Sequence, residues 1–156
     1  MALEVGDAAP DFNLKGSLGS EDAEVSLGDF KGKKLVVLFY PLDFSPVCSV
    51  QIPDFSSRID EIRAKGAEVV AINRDSAFAH KAWSDHLGGV QFPLLADMNL
   101  EVSRKFGMAL DEIGITTRGV FLIDGNGKVA FKHVEAAPPD NTLEVDQILG
   151  ELDKAD

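Results

Sequence analysis

The sequence has 156 residues, of which 45% are hydrophobic, and this is enough for one domain with a sizeable core. Its 15 Lys and Arg residues against 26 Asp and Glu residues give a net charge of −11. This charge argues against binding to nucleic acids and anionic membranes, because their phosphates would repel the protein. A single cysteine excludes a disulfide within the chain.

The first half of the chain predicts a hairpin, two strands and two helices. The hairpin is expected within residues 12–27. Residues 34–40 and 67–73 are short β-branched apolar segments without clean alternation, which is typical of strands buried on both faces of a sheet. Residues 55–65 and 76–87 repeat apolar side chains at helical spacing. The right-handed crossover rule makes the two long strands parallel neighbours.

The second half predicts a short strand, a helix, a hairpin and a last helix. A helix at residues 99–106 precedes an apolar strand at 119–124. Asp-Gly-Asn-Gly at 124–127 is a hairpin turn, so residues 128–133 should pair antiparallel with that strand. A C-terminal helix is expected at 143–152. This order predicts one α/β domain over residues 1–156, with a thioredoxin-like three-layer fold, a mixed central β-sheet and an N-terminal β extension.

The segment Tyr-Pro-Leu-Asp-Phe-Ser-Pro-Val-Cys follows the first buried strand directly. Pro41 stops the strand, Ser45 suits a helix N-cap, and Pro46 suits the first helical position, which places Cys48 in the first turn. Free N–H groups and the helix dipole stabilise a thiolate there, at about 1.4 kcal/mol for each unit by which the pKa is lowered. The alternative, a buried inert cysteine, stays open on the spacing alone.

The pattern Pro41-x-x-x-Ser45-x-x-Cys48 resembles the signature of the peroxiredoxins, the alkyl hydroperoxide reductase and thiol-specific antioxidant family. Other segments resemble the family in order along nearly the whole chain, at residues 5–12, 29–40, 80–83, 92–97 and 117–124. The resemblance implies a thiol-dependent peroxidase that reduces hydrogen peroxide or organic hydroperoxides through a sulfenic acid on Cys48.

The resemblance also implies a role for each matching residue. Cys48 would be the peroxidatic nucleophile, and Ser45 would hydrogen-bond the peroxide and the thiolate. Pro41 would shield the thiolate from water. Arg118 would match the active-site arginine of the family, since its permanent charge and forked donors suit a thiolate and a peroxide oxygen. Considered without the family, Arg118 is most simply a residue of a surface ion pair.

The chain has no resolving cysteine, so the resemblance points to a one-cysteine type that is recycled by an external thiol. A low-molecular-weight thiol, a glutaredoxin and a thioredoxin are all candidates for this reductant. The sequence identifies neither the reductant nor the preferred peroxide. The alternative function is a redox sensor that relays Cys48 oxidation to a partner protein. A homodimer is expected, with an apolar patch around Phe44 and Phe78.

Other chemistries have little support in the sequence. His80, His86 and His133 lack metal-ligand spacing with Cys48, and no glycine-rich nucleotide motif occurs, so no cofactor is expected. For His80 and Trp83, packing of their helix against the core is expected ahead of the alternative, a place at an edge of the active site. The N-terminus lacks the regions of a signal peptide, and no segment approaches the roughly 20 apolar residues of a membrane helix, so a cytoplasmic protein is expected.

Two residues near the cysteine depart from expectation. Gln51 stands where many peroxiredoxins carry Glu, and a local polar contact is expected there. Pro53 removes a backbone hydrogen bond and clashes with the preceding turn, so a kink or break is expected between Gln51 and Asp54. Asp54 is expected near the start of a second helix.

Overall fold

The computed structural model describes residues 3–45, 48–135 and 143–155, without the side chains of residues 48 and 49. Nine strands are present in this part of the chain: β1 (Asn13–Leu18), β2 (Glu21–Ser26), β3 (Lys34–Phe39), β4 (Ala67–Asn73), β5 (Leu94–Ala96), β6 (Ala109–Leu110), β7 (Ile115–Thr116), β8 (Gly119–Ile123) and β9 (Val129–Val134). The helices are α1 (Cys48–Ser57), α2 (Ile59–Arg63), α3 (Ala77–His86), α4 (Glu101–Lys105) and α5 (Val145–Lys154), with a short 3-10 helix at Leu27–Phe30.

Seven of these strands form one mixed sheet in the order β2-β1-β5-β4-β3-β8-β9. The predicted parallel pairing of the two long strands is confirmed, because β3 and β4 run side by side in the same direction. The predicted terminal hairpin is confirmed as well, because β8 and β9 are antiparallel. The N-terminal hairpin of β1 and β2 joins the sheet through antiparallel pairing of β1 with β5.

The core lies on both faces of this sheet, and strand β3 shows why. Val36 and Leu38 face the cluster built with α1, α2, α3 and α5, whereas Val37 and Phe39 face the cluster that contains Phe106. All four β3 side chains are fully buried. Burial of each such side chain stabilises the fold by about 1.5–3 kcal/mol, so the unbroken apolar sequence of β3 specifies the middle layer of a three-layer structure.

The helix that follows the cysteine differs from the prediction. The single helix expected at residues 55–65 is two helices, and the expected break between Gln51 and Asp54 is wrong, because α1 continues through Pro53 to Ser57. The interruption falls at Arg58, whose ψ of 20° leaves the helical range. The Ser57 hydroxyl donates to the Asp54 carbonyl at 3.0 Å, a local bond that competes with helix continuation. Asp54 therefore lies at the end of α1 rather than at the start of α2.

Helices α3, α4 and α5 match their predicted positions to within a few residues. Helix α3 begins after Ser76, whose hydroxyl accepts from the Ala79 N–H at 3.1 Å as an N-cap. Strands β6 and β7 form a separate two-stranded hairpin that the sequence pattern did not predict. No helix among the described residues is long and apolar enough to span a membrane.

Candidate active site

The chain segments that carry the predicted site residues lie at the same end of strands β3 and β8. Strand β8 is antiparallel to β3, so Phe39 at the end of β3 pairs with Gly119 at the start of β8. Arg118 precedes Gly119, and the loop from β3 leads to Cys48 at the first described residue of α1. Pro46 and the Cys48 side chain lie outside the described residues, so the capping geometry and the state of the thiol stay predictions.

Gln51 joins Arg118 to the first turns of helix α1. Arg118 Nη1 donates to Gln51 Oε1 at 2.7 Å, and both residues are buried, with 4% and 5% of their surfaces exposed. Gln51 lies three residues after Cys48 in the sequence, about one turn further along helix α1. The polar contact expected of Gln51 is confirmed, and the surface ion pair considered for Arg118 is wrong.

The loop before Cys48 has a defined backbone path. The Tyr40 N–H still donates to the Ile72 carbonyl at 3.2 Å, and Pro41 then ends the pairing because proline has no N–H. The Ser45 hydroxyl donates to the Leu42 carbonyl at 2.9 Å, which closes a local turn. Phe44, between them, has a φ of 67°, a left-handed conformation that costs energy for a residue with a side chain.

A buried hydrogen-bond network holds this loop against the sheet, and its centre is Asp43. The Tyr40 hydroxyl donates to Asp43 Oδ1 at 2.7 Å, and the Asn73 amide donates to the same oxygen at 3.1 Å. The other carboxylate oxygen, Oδ2, lies 2.7 Å from His80 Nδ1. The Asp43 N–H donates to Asp75 Oδ2 at 2.7 Å. Asp43 is thus anchored through both its backbone and its side chain.

His80 and Trp83 complete the support beneath the loop. Both are fully buried, which confirms the expected core packing, and the Trp83 ring stacks on Tyr40 with centroids 5.4 Å apart. His80 does more than fill space, because it connects Asp43 in the loop to the Leu95 carbonyl of β5 through Nε2 at 3.0 Å. The sequence analysis considered His80 but not Asp43, although Asp43 lies within the Pro-x-x-x-Ser segment itself.

Comparison with known proteins gives the family. The sequence pattern of the AhpC/TSA family matches residues 5–132. A provisionally named peroxiredoxin in the rubredoxin operon of Clostridium pasteurianum is 43% identical over 138 residues, which cover 83% of this chain and 78% of that protein. The thioredoxin peroxidase of Echinococcus granulosus is 41% identical over 133 residues, with coverage of 81% and 69%. This chain belongs to the AhpC/TSA family of peroxiredoxins.

The structural comparison agrees with the sequence comparison. The solved structure of Mycobacterium tuberculosis AhpC superposes with a TM-score of 0.88 at 29% identity, and the match covers 98% of this chain and 93% of that one. The predicted fold class and the predicted family are therefore both confirmed. The chain is an enzyme of the peroxiredoxin type, and its single cysteine is consistent with the one-cysteine form.

Glu135 is a second residue of this peroxiredoxin that the sequence analysis missed. It follows β9 at the same edge of the sheet, its side chain is 1% exposed, and its Oε2 lies 3.9 Å from Arg118 Nε. The hairpin turn at 124–127 was the available signal, since it makes residues near 118 and 135 neighbours.

A cavity of about 410 Å³ opens at the opposite edge of the sheet from the predicted site. Lys31, Lys33 and Asp124 are among its lining residues, and neither cysteine nor histidine is. Its lining therefore offers no thiol or imidazole for peroxide chemistry. In the described part of the chain, no group of three or more His, Cys, Asp and Glu residues is arranged to hold a metal ion.

Proposed function

We propose that this chain, as a single domain over residues 1–156, is a thiol-dependent peroxidase. It reduces hydrogen peroxide or organic hydroperoxides through a sulfenic acid on Cys48, and an external thiol recycles it. The observation that carries the proposal is the buried Arg118, bonded to Gln51 about one helical turn beyond Cys48. A permanent cation at the N-terminal end of a helix that begins near a cysteine favours the thiolate, which is the reactive form.

The first step is an in-line displacement at the peroxide. The Cys48 thiolate attacks the terminal oxygen, so that a sulfur–oxygen bond forms while the oxygen–oxygen bond breaks. Sulfur is oxidised to the sulfenic acid, and the leaving hydroxide or alkoxide takes up a proton to give water or an alcohol. Negative charge moves from sulfur to the leaving oxygen, and donors directed at both positions stabilise it as it moves.

The neighbouring residues have distinct roles in this step. Arg118 favours the thiolate and holds a peroxide oxygen, because its guanidinium presents several N–H groups in one plane. The Ser45 hydroxyl, which donates to Leu42 in the resting loop, hydrogen-bonds the peroxide and the thiolate when substrate is bound. Pro41 shields the thiolate from water and adds no competing N–H donor.

Recycling takes two thiol equivalents. The first thiol condenses with the sulfenic acid to give a mixed disulfide and water, and the second releases Cys48 by thiol–disulfide exchange. The chain has no second cysteine for an internal disulfide, so both thiols come from outside. The name of the Echinococcus granulosus relative, thioredoxin peroxidase, supports a thioredoxin among the candidate reductants.

We propose in addition that the protein is a cytoplasmic homodimer. Phe44 and Phe78 are 53% and 83% exposed, and Phe44 belongs to the loop that leads to Cys48. Exposed aromatic side chains of this size favour a partner surface that covers them, and a second copy of the chain is the partner proposed. A reducing compartment suits a recycling step that consumes thiols.

Stopped-flow oxidation of the reduced protein by hydrogen peroxide tests the peroxidase proposal. Trp83 fluorescence reports the reaction, because the indole stacks on Tyr40 at the foot of the loop that carries Cys48. We expect Cys48 to react on the order of a hundredfold or more faster than free cysteine, and Arg118→Ala to slow it by about tenfold or more, which corresponds to about 1.4 kcal/mol. Cys48→Ser should abolish the signal.

Arg104→Ala is the matched control, because it removes an exposed arginine of α4 that pairs with Asp111. It should leave the rate unchanged. A Cys48 that reacts no faster than free cysteine would refute the peroxidase. Rapid oxidation without turnover by dithiothreitol, glutathione or thioredoxin would instead favour the redox sensor.

A further inference from the structure

Glu135 and Arg118 are direct neighbours across the β8–β9 hairpin. Gly119 pairs with Val134, and one step further along the same register the Glu135 N–H donates to the Arg118 carbonyl at 3.0 Å. Residues that lie opposite each other in an antiparallel pair project to the same face of the sheet. For Arg118 this is the face that carries helix α1, as its bond to Gln51 shows.

The Glu135 carboxyl group is buried without hydrogen bonds. Its side chain is 1% exposed, and neither oxygen has a hydrogen-bond partner among the described residues. It forms an ion pair with Arg118, whose Nε lies 3.9 Å from Oε2. A buried carboxylate in this position is costly unless an opposite charge compensates it, so the pair is an ion pair that the fold accommodates at a cost.

Gln51 and Glu135 approach different parts of the Arg118 guanidinium. Gln51 accepts from Nη1 at 2.7 Å, while Glu135 approaches Nε. The guanidinium is planar and rigid, so contacts at these two nitrogens fix both its position and its rotation. Gln51 is uncharged, whereas the Glu135 carboxylate brings a negative charge to the guanidinium.

We propose that Glu135 is a positioning residue for the peroxidase reaction. It is the counter-ion that holds the Arg118 guanidinium in the orientation in which its N–H groups meet the peroxide oxygen. The inference rests on the proposed role of Arg118 and deepens it. Glu135 acts through Arg118 alone, so its effect should disappear when the guanidinium is absent.

A double-mutant cycle with two reagents tests this proposal. Wild type, Glu135→Gln, Arg118→Ala and the double variant are each reacted with hydrogen peroxide and with iodoacetamide across a pH series. The rate constants are compared at the high-pH plateau, where Cys48 is fully ionised. Iodoacetamide needs the thiolate but has no peroxide oxygen for Arg118 to hold. His133, which lies on the same face two residues before Glu135, is unchanged in all four proteins.

We expect Glu135→Gln to lower the plateau rate constant with peroxide by about fivefold, which corresponds to about 1 kcal/mol. The plateau rate constant with iodoacetamide should change by less than about twofold, and Glu135→Gln should have no further effect on the peroxide rate of Arg118→Ala. Three results would each overturn the positioning role. Glu135→Gln could lower the peroxide rate constant equally in wild type and in Arg118→Ala, lower the rate constants with both reagents in parallel, or leave the peroxide rate constant unchanged.

Two controls separate this outcome from others. Glu112→Gln removes an exposed carboxylate and should leave both rate constants unchanged. Glu135→Asp keeps the charge but withdraws it by one methylene. Its plateau rate constant with peroxide should lie between those of wild type and Glu135→Gln, and this variant takes the place of Glu135→Gln if the latter folds poorly. If the proposed peroxidase function is wrong, the result is different: wild type reacts with peroxide at the rate of free cysteine. That result would also refute the inference about Glu135.

Discussion

His80 is fully buried beneath the loop that leads to Cys48, and both of its ring nitrogens face acceptors. Nε2 lies 3.0 Å from the Leu95 carbonyl, and Nδ1 hydrogen-bonds to the Asp43 carboxyl group at 2.7 Å. The pair spans 37 residues of sequence and ties the loop to strand β5. His80 thus adds a link to strand β5 to the other hydrogen bonds that hold Asp43 in place.

Substitution of His80 by Phe keeps a ring in the core but leaves the Asp43 carboxylate without this partner. An unsatisfied buried hydrogen-bonding group typically costs about 1–3 kcal/mol, and we expect the free energy of unfolding to fall by that amount. Urea unfolding followed by circular dichroism measures it. His86→Phe, at an exposed position on the same helix, should change stability by less than about 0.5 kcal/mol. Similar losses for the two variants would mean that the network contributes little.

At the scale of elements, strand β1 joins the sheet through a close approach that only glycine permits. A Cβ at Gly16 would lie 2.0 Å from the Leu94 carbonyl oxygen and 2.7 Å from the Leu95 Cα. Both atoms belong to the backbone of β5 and cannot move aside without disturbing its pairing. The N-terminal hairpin therefore depends on this one glycine for its contact with the rest of the sheet.

Gly16→Ala should destabilise the protein by about 1–3 kcal/mol, because the methyl group forces β1 away from β5. Gly150→Ala is the matched control, since it lies within helix α5 and a Cβ there meets no atom within 4 Å. It should stabilise the protein by about 0.5–1 kcal/mol through the higher helix propensity of alanine. Thermal unfolding compares the two, and a Gly16→Ala protein as stable as wild type would contradict the close approach of β1 to β5.

The elements also show how far local sequence patterns reach. Strands β3 and β4 were predictable because their unbroken apolar residues need cover on both faces. The pairing of Arg118 with Glu135 was not predictable in this way. A register shift between Leu122 and Ile123 moves each pair of the β8–β9 hairpin that lies beyond it, counted from the turn, by one residue. Counting back from the turn without that bulge pairs Arg118 with Val134 instead. The Asp43–His80 contact was also not predictable, because it forms only when the chain between strands β3 and β5 folds and brings these distant segments together.

At the scale of the whole molecule, the net charge of −11 opposes self-association, while the exposed aromatic residues near the site favour it. Repulsion between two acidic copies weakens with salt, because the Debye length falls to about 8 Å at physiological ionic strength. Apolar contact around Phe44 and Phe78 does not depend on salt in this way. A dimer of this protein should therefore tighten as ionic strength rises.

Phe78→Ser should weaken the dimer by about tenfold or more, which corresponds to about 1.4 kcal/mol, because it removes exposed apolar area without touching the core. Sedimentation velocity over a concentration series measures the change. Ile113→Ser removes an exposed apolar side chain, 66% accessible, from the β6–β7 hairpin and should leave the dimer intact. A wild-type protein that is monomeric at all concentrations and salt levels would refute the assembly.

Strand β2 forms one border of the sheet, and its outer backbone groups offer a template for another chain. Glu21, Asp22 and Glu24 line this border and are exposed. The hydrogen bond from Lys81 and, to a lesser extent, the positive charge of Lys81 hold the pKa of Asp22 below its usual value. This carboxylate therefore stays ionised further into the acid range. The charged side chains along this border discourage edge-to-edge polymerisation, and they remain there near the isoelectric point expected from the sequence, about 4.6, where most of the general repulsion between molecules has gone.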